Sequence, residues 1–499
     1  MTTSHASVTT PRTPAPRSLI ILGADGDLVK RLLLPGLATY LASASAPGDG
    51  EAGEIDELDE EPGIRLVGAG RGDGAGFADL VRTAFSTVLD QDQLRLPAVR
   101  DTLDRAAYLP TDATDEADLG TLLECAEQPA ALYFALPPSV TVQSCQALQR
   151  LHHRGLFPPQ TVLALEKPFG TDLNSARELN SLLTGFVPEE HIFRVDHFLG
   201  MPGVLSFMGL RFANRVLEPL WSREHVESIE IVYDETLGLE GRAEFYDSTG
   251  AARDMLQSHL LQVMALVMMD PPSRLDGVEI PANTAHVLRA ARLWDPAEPR
   301  LDDCRTSAHP PVVRGRYTAG QVDGRQLPSY VDEDGVDPSR GTETFAQVTL
   351  EVDTWRWNGV PVTLRSGKGI GFPRQEIAVR FRRPPHEYEQ FPHSGNLPHD
   401  VLRLGFEPDH LQWELNVGGP FDSRGLNRVT VSSGRGEPGL TAYGSVVRWL
   451  LQGERAFTVR GDGAEQGWRI TEQILDAFTT DEVPLQDYAA GSDGPFVSR

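Results

Sequence analysis

Two short stretches hold the residues with the clearest chemical potential: RVDHFLG at 194–200, and His259 within RDMLQSHLLQ at 253–262. A buried carboxylate such as Asp196 can orient an imidazole and stabilise its protonated form. His259 could then take a proton from a substrate hydroxyl near neutral pH. Either fragment alone says little, because a lone helical histidine is more often a core or surface residue than a base. From Arg253 onward, Met255, Leu256, Leu260, Val263 and Val267 recur at helical spacing. His259 falls at the border of that stripe, from which a side chain can reach a cleft. Asp254 lies in the first turn after Gly250, where the helix dipole favours a carboxylate, so a charge-capping role is its plainer explanation.

These residues need a scaffold, and the first part of the chain reads as one. SLIIL from Ser18 is a buried strand, followed at once by GADGDLVKRLLL, a glycine turn opening into a helix. Gly23 and Gly26 let the backbone approach a pyrophosphate at the helix N-terminus, and Lys30 and Arg31 add positive charge. The fingerprint is incomplete, with Val29 at the third small position. Asp25 is the awkward residue, since a carboxylate aimed at a pyrophosphate would repel it. Its side chain is expected to face solvent or pair with Lys30 or Arg31.

RLVGAG (65–70), ALYFAL (131–136) and TVLAL (161–165) continue a pattern of parallel strands with crossover helices, a doubly wound sheet. The second strand ends in GAGR rather than in a lone carboxylate. Arg71 could therefore meet a ribose 2′-phosphate, which favours NADP over NAD, while Asp73 keeps NAD possible. Lys167 in EKPFG follows a strand at its carboxyl end, where open α/β sheets place ligands, and Pro168 after it is a candidate for a cis bond. Beyond about residue 195 the runs alternate and fewer helices separate them: 229–233, 344–352, 375–381 and 411–417. An antiparallel sheet is expected there.

Composition bounds the rest. A chain of 499 residues exceeds the size at which one core keeps growing, so two domains are expected. Cys125, Cys145 and Cys304 form no metal-binding spacing, which suits a reducing cytoplasmic setting and argues against structural zinc. The formal net charge of −26 repels nucleic acid. The apolar run around Leu260 to Met269 is too short to span a bilayer, so neither nucleic acid nor membrane is an expected partner. Residues 1–17 read as a disordered tail and 47–63 as a solvated acidic loop. The expected domains are 18–195 for a dinucleotide and 196–499 for substrate binding and oligomer contacts.

In order along the chain, GADGDLVKRLLLPGL, EKPFG, RVDHFLG, LRFANRVLEPLW, EGRAEFYDSTGAARDMLQSHLLQ, TETFAQVTLEVDTWRWNGVPVTLRSGK and AYGSVVRWLLQGE resemble glucose-6-phosphate dehydrogenases. The resemblance runs from about residue 18 to about 480. It implies a Rossmann-like α/β domain followed by an α+β domain with a large, mostly antiparallel sheet, assembled as a homodimer or tetramer. It implies NADP-dependent oxidation of glucose 6-phosphate to a lactone, the first step of the oxidative pentose phosphate pathway, without a metal. His259 resembles the base at the C1 hydroxyl and Asp196 its orienting partner. Lys167 resembles the residue that touches sugar and cofactor, Glu235 and Asp254 resemble acceptors of sugar hydroxyls, and Lys368 resembles a second basic contact.

The match departs from the family at the phosphate. Where the family carries a tyrosine and then a Lys-Glu pair, this chain has Phe198 and then Met201 and Pro202, leaving His197 and Lys368 to meet a dianion. Hydrogen bonds to charged groups contribute about 1.5–3 kcal/mol each, so two uncompensated losses would weaken phosphate binding by about two orders of magnitude or more. Ser258 also replaces the usual asparagine before the base. Alternatives consistent with these residues are oxidation of a non-phosphorylated or differently substituted aldose, or a catalytically weak assembly subunit.

Overall fold

The computed structural model describes residues 13–44, 63–295, 311–391, 395–406, 410–434, 439–480 and 483–495. The acidic loop, except Gly63, and residues 1–12 of the expected tail lie outside these. Residues 13–17 are docked: Thr13 is buried and donates its hydroxyl to the Glu190 carbonyl at 2.8 Å.

The chain forms two compact units. One holds the described residues up to Gly200 together with Ser273–Pro281 and Gly439–Gly461; the other holds Met201–Pro272, Ala282–Pro438 and the residues from Asp462.

In the first unit β1 (Ser18–Leu22), β2 (Arg65–Gly70), β3 (Ala107–Pro110), β4 (Ala130–Phe134), β5 (Val162–Glu166) and β6 (Ile192–Val195) form one parallel sheet in the order 3-2-1-4-5-6. That is the doubly wound order with a switch point between β1 and β4. β1 and β4 are buried along their whole length because helices cover both faces, so these strands are continuous apolar runs rather than alternating ones. β3 is an edge strand of four residues with two exposed positions, too short and too polar to stand out in sequence. β6 carries Arg194 fully buried, its guanidinium held by Glu189 at 2.7 Å and Asn180 at 2.8 Å. Helix Ala442–Gln452, distant in sequence, returns to this unit and is capped by Thr441, whose hydroxyl accepts from Gly444 N–H at 3.0 Å. It lies so close to helix Leu34–Ala44 that a Cβ on Gly36 would sit 2.7 Å from the Tyr443 carbonyl carbon.

The second unit is built on β7 (Val226–Asp234), β8 (Ala291–Leu293), β9 (Val312–Thr318), β12 (Phe345–Val352), β13 (Val362–Gly367), β14 (Gln375–Phe381), β15 (Val401–Gly405), β16 (His410–Gly418), β17 (Leu426–Gly434) and β18 (Leu485–Ala489). The hairpin β10 (Gly320–Val322) and β11 (Arg325–Leu327) stands apart. The large sheet runs 17-16-15-14-7-13-12-9-18, with β8 paired to β12. It is mostly antiparallel; β7 with β13 and β9 with β18 are parallel pairs. β12 is buried at every position, so the alternation expected over 344–352 does not translate into one wet face.

Two helical segments run on without a break as Ala252–Leu260, wound as a π-helix, and the α-helical Leu261–Met268. The C-terminal carbonyls, which have no intrahelical donors, are met by indoles: Trp221 Nε1 donates to Val267 O at 2.9 Å and Trp357 Nε1 to Met268 O at 2.6 Å. Among the described residues no helix is long and apolar enough to cross a membrane.

Candidate active site

At the head of β1 the nucleotide turn has the shape a pyrophosphate requires. Gly23 adopts φ +81°, and a Cβ there would lie 2.3 Å from the Ala135 carbonyl oxygen beyond β4, so only glycine fits between the two central strands. Gly23 N–H donates to Ala69 O at 2.8 Å and Gly26 N–H to Gly23 O at 3.0 Å, folding the chain sharply into the helix that begins at Val29. This cradle fits a dinucleotide phosphate, with Lys30 exposed beside it. The helix opens with a π turn over Val29–Leu33, and Val29 is fully buried, so the third small position of the fingerprint is here a core position.

Asp25 is exposed, the first of the two expected outcomes, and pairs with neither Lys30 nor Arg31. Arg31 instead meets Asp27 at 3.3 Å on the surface, and Asp25 Oδ2 accepts the Tyr108 hydroxyl at 2.8 Å. Arg71 is exposed just past β2, near enough to Asp112 to help lower that carboxyl, an effect led by hydrogen bonds from Thr114.

Lys167 stands at the carboxyl end of β5, half-buried, and its bond to Pro168 is cis. Its neighbour Glu166 takes hydroxyls from Tyr133 and, at 3.1 Å, from Tyr443. Desolvation pushes the Glu166 carboxyl up to about 7, with the two tyrosines and Lys167 opposing the rise and Asp196 adding to it. Asp196 follows β6, is buried, and accepts the Phe198 N–H at 3.0 Å, closing the short turn His197–Gly200. The His197 ring stacks on Tyr443 with centroids 5.1 Å apart. Phe198 and Met201, the two departures from the family pattern, are 3% and 6% exposed and belong to the apolar interior.

The second unit supplies the remaining expected residues. His259 is 2% exposed, and its neighbours from Met255 to Leu260 are all buried, polar Gln257 and Ser258 included, so the helix is enclosed on every side and its apolar stripe marks no border with solvent. The helix starts at a kink: Gly250 has φ +70°, and Ala252 N–H donates to Glu343 Oε1 at 2.9 Å. A carboxylate therefore does cap this helix, but it is Glu343 from the approach to β12 rather than Asp254, which stays half-buried one turn before His259. Burial raises the Glu343 carboxyl, the hydrogen bond from Ala252 working against it.

Glu235, just past β7, and Lys368, just past β13, sit on adjacent parallel strands, so their ends coincide. Lys368 Nζ donates to Glu235 Oε2 at 2.6 Å and lies 5.2 Å from the centre of the Tyr246 ring. The Tyr246 hydroxyl is buried, and the charges of Asp254, Glu343 and Glu235 add to the rise that burial causes in its pKa. Thus Glu235, Lys368 and Tyr246 form one polar group, and Asp254 and His259 share one helix. Lys167, Asp196 and His197 are presented by the first unit. Sequence reasoning missed Glu343, Tyr246, Glu166 and Tyr443, whose roles depend on strands and helices far away along the chain.

Two family models cover nearly the whole chain: the glucose-6-phosphate dehydrogenase NAD binding domain over residues 20–205, and the C-terminal domain of the same enzyme over 208–499. The chain belongs to the glucose-6-phosphate dehydrogenase family. Relatives named glucose-6-phosphate 1-dehydrogenase include that of Gluconobacter oxydans, 36% identical over 96% of this chain and 94% of the relative. That of Dickeya dadantii is 33% identical over 96% and 95%. A crystal structure of the Mycobacterium avium enzyme is similar with TM-score 0.77 and 29% identity, covering 97% of this chain and 96% of that one. A glucose-6-phosphate dehydrogenase solved in complex with glucose-6-phosphate gives TM-score 0.80 at 25% identity, covering 98% and 97%.

Proposed function

We propose that this chain oxidises glucose 6-phosphate at C1 to the 6-phosphogluconolactone, using a pyridine nucleotide. The observation that carries the reading is the Lys368–Glu235 pair beside Tyr246, in a family member that keeps all the expected sugar-hydroxyl and proton-transfer residues. The bound nicotinamide supplies the hydride acceptor. His259 takes the C1 hydroxyl proton through its imidazole, and Asp196 orients that ring and stabilises its cationic form. Glu235 and Asp254, acceptors when ionised, take hydrogen bonds from sugar hydroxyls, and Lys368 fixes the position of Glu235 by donating to its Oε2 at 2.6 Å. Lys167 contributes charge where sugar and nucleotide meet. His197, held flat against Tyr443, and Lys368 meet the phosphate.

For the nucleotide, Arg71 argues for NADP, while Asp25 and Asp112 around it argue for NAD. The chain is read as a cytoplasmic homo-oligomer, in line with its family.

Phe198 and Met201 favour a second reading, a sugar without the phosphate, because both positions are buried and apolar. Steady-state kinetics on glucose 6-phosphate and free glucose decide between them. The first reading expects kcat/KM for the phosphorylated sugar to exceed that for glucose by at least 100-fold; an equal or lower value defeats it.

A further inference from the structure

In a doubly wound sheet the carboxyl end of β2 meets the adenine ribose, and a carboxylate there accepts from the 2′-hydroxyl of NAD, whereas an arginine receives the 2′-phosphate of NADP. Here β2 ends on Gly70, followed by Arg71, Gly72 and Asp73. The strand itself therefore carries no carboxylate at its last position. The space above that position is nonetheless filled by one. A Cβ built on Gly70 would lie 3.1 Å from Asp25 Oδ2 and 2.7 Å from the Tyr108 hydroxyl; one on Gly72 would lie 3.3 Å from Asp25 Oδ2.

The Asp25 carboxylate thus crosses from the β1 turn to the place where a side chain from the end of β2 would begin. Two glycines leave it room. It is held there by Tyr108 from β3, whose hydroxyl donates at 2.8 Å. Tyr108 is itself fixed: its ring packs on Phe77 with centroids 5.4 Å apart, and the loop folds over it at Gly74, φ +73°, where a Cβ would meet the ring at 2.3 Å. Burial, and then the hydrogen bond to Asp25, push the Tyr108 phenol up to about 12, so it remains a donor at neutral pH.

We infer that Asp25 is the ribose-binding carboxylate of the nucleotide site, and that this chain takes NAD in preference to NADP. The inference rests on the dinucleotide-dependent reading above and narrows it. An ionised carboxylate accepts from both hydroxyls of an unmodified ribose. A 2′-phosphate carries about −1.5 to −2 charges near pH 7 and would face Asp25 at close range. Arg71, exposed between Gly70 and Gly72, is the cation that could compensate, but the Asp25 carboxylate stands against both of those glycines, and Asp73, whose Oδ1 accepts from Ala75 N–H at 3.0 Å, adds a further carboxylate on the same loop.

The test is equilibrium binding to the full chain by isothermal calorimetry, with NAD and NADP as ligands and Asp25→Ser and Asp25→Asn as variants. The unmodified chain is expected to bind NAD at least tenfold more tightly than NADP. Asp25→Ser should weaken NAD and strengthen NADP, shifting their ratio by tenfold or more, and Asp25→Asn should shift it the same way by less. Tighter NADP binding by the unmodified chain, or an equal loss of both ligands in the two variants, overturns the inference while leaving the dehydrogenase reading intact. Binding of neither nucleotide overturns both.

Discussion

Lys368 Nζ lies 2.6 Å from Glu235 Oε2, with the two side chains 6% and 21% exposed. The register of β13 against β7 places Gly367 opposite Asp234, so the next residue of each strand emerges at the same level. Lys368→Met would leave Glu235 a poorly solvated carboxylate without its partner. Breaking a fully buried pair costs about 3–5 kcal/mol, and the partial exposure of Glu235 reduces this to about 1–3. A urea melt should show that loss, and the KM for the sugar should rise at least tenfold. In a double-mutant cycle with Glu235→Gln the two effects should be strongly non-additive.

The site can be separated into chemistry and binding through His259. His259→Ala is expected to cut kcat about 100-fold or more while leaving nucleotide affinity within about twofold, because the helix around it is held at both ends by groups other than the imidazole. Single-turnover kinetics and calorimetry on the same preparation measure both.

Glu343 pins the start of that helix. Glu343→Ala would leave the buried Ala252 N–H without an acceptor, a cost of about 1–3 kcal/mol, and should lower kcat by displacing His259. Glu343→Gln keeps an oxygen for that N–H and removes a desolvated charge, so its stability and turnover should match or exceed those of the unmodified chain. Equal damage in both variants would show that the charge, rather than the hydrogen bond, is what the helix needs.

Glu166 gives a pH dependence with a definite sign. Desolvation lifts its carboxyl from 4.5 to about 7, so between those values the folded chain holds a proton that the unfolded chain has released. Its contribution to stability is fully present below about 4.5 and is lost as pH rises through about 7. Glu166→Gln mimics the protonated form and still accepts both tyrosine hydroxyls. Thermal unfolding should show the unmodified chain losing more Tm than the variant between pH 5 and pH 8, by several degrees; parallel profiles would exclude Glu166 as the titrating group.

Much of this protein was legible in linear order. The doubly wound half declared itself because strands buried on both faces must be continuous apolar runs, and β1 and β4 are buried throughout. Gly23, Lys167 and Asp196 stood out because strand ends and glycine turns have their own local signatures, whereas His259, inside a helix, was singled out by the resemblance of its surrounding motif. The residues that steady them had none. Tyr443 reaches Glu166 and His197 from 277 positions beyond Glu166, through a helix that returns to the first unit late in the chain.

The sequence by itself determined which chemical groups exist and on what kind of element each rides, since periodicity, turn chemistry and charge act over a few residues. Only the tertiary structure decided which groups share a space. Asp25 belongs to the β1 turn in sequence but to the end of β2 in space, and Glu343 caps a helix that starts 91 residues before it. Strand pairing across long separations sets those meetings, and no local pattern encodes them.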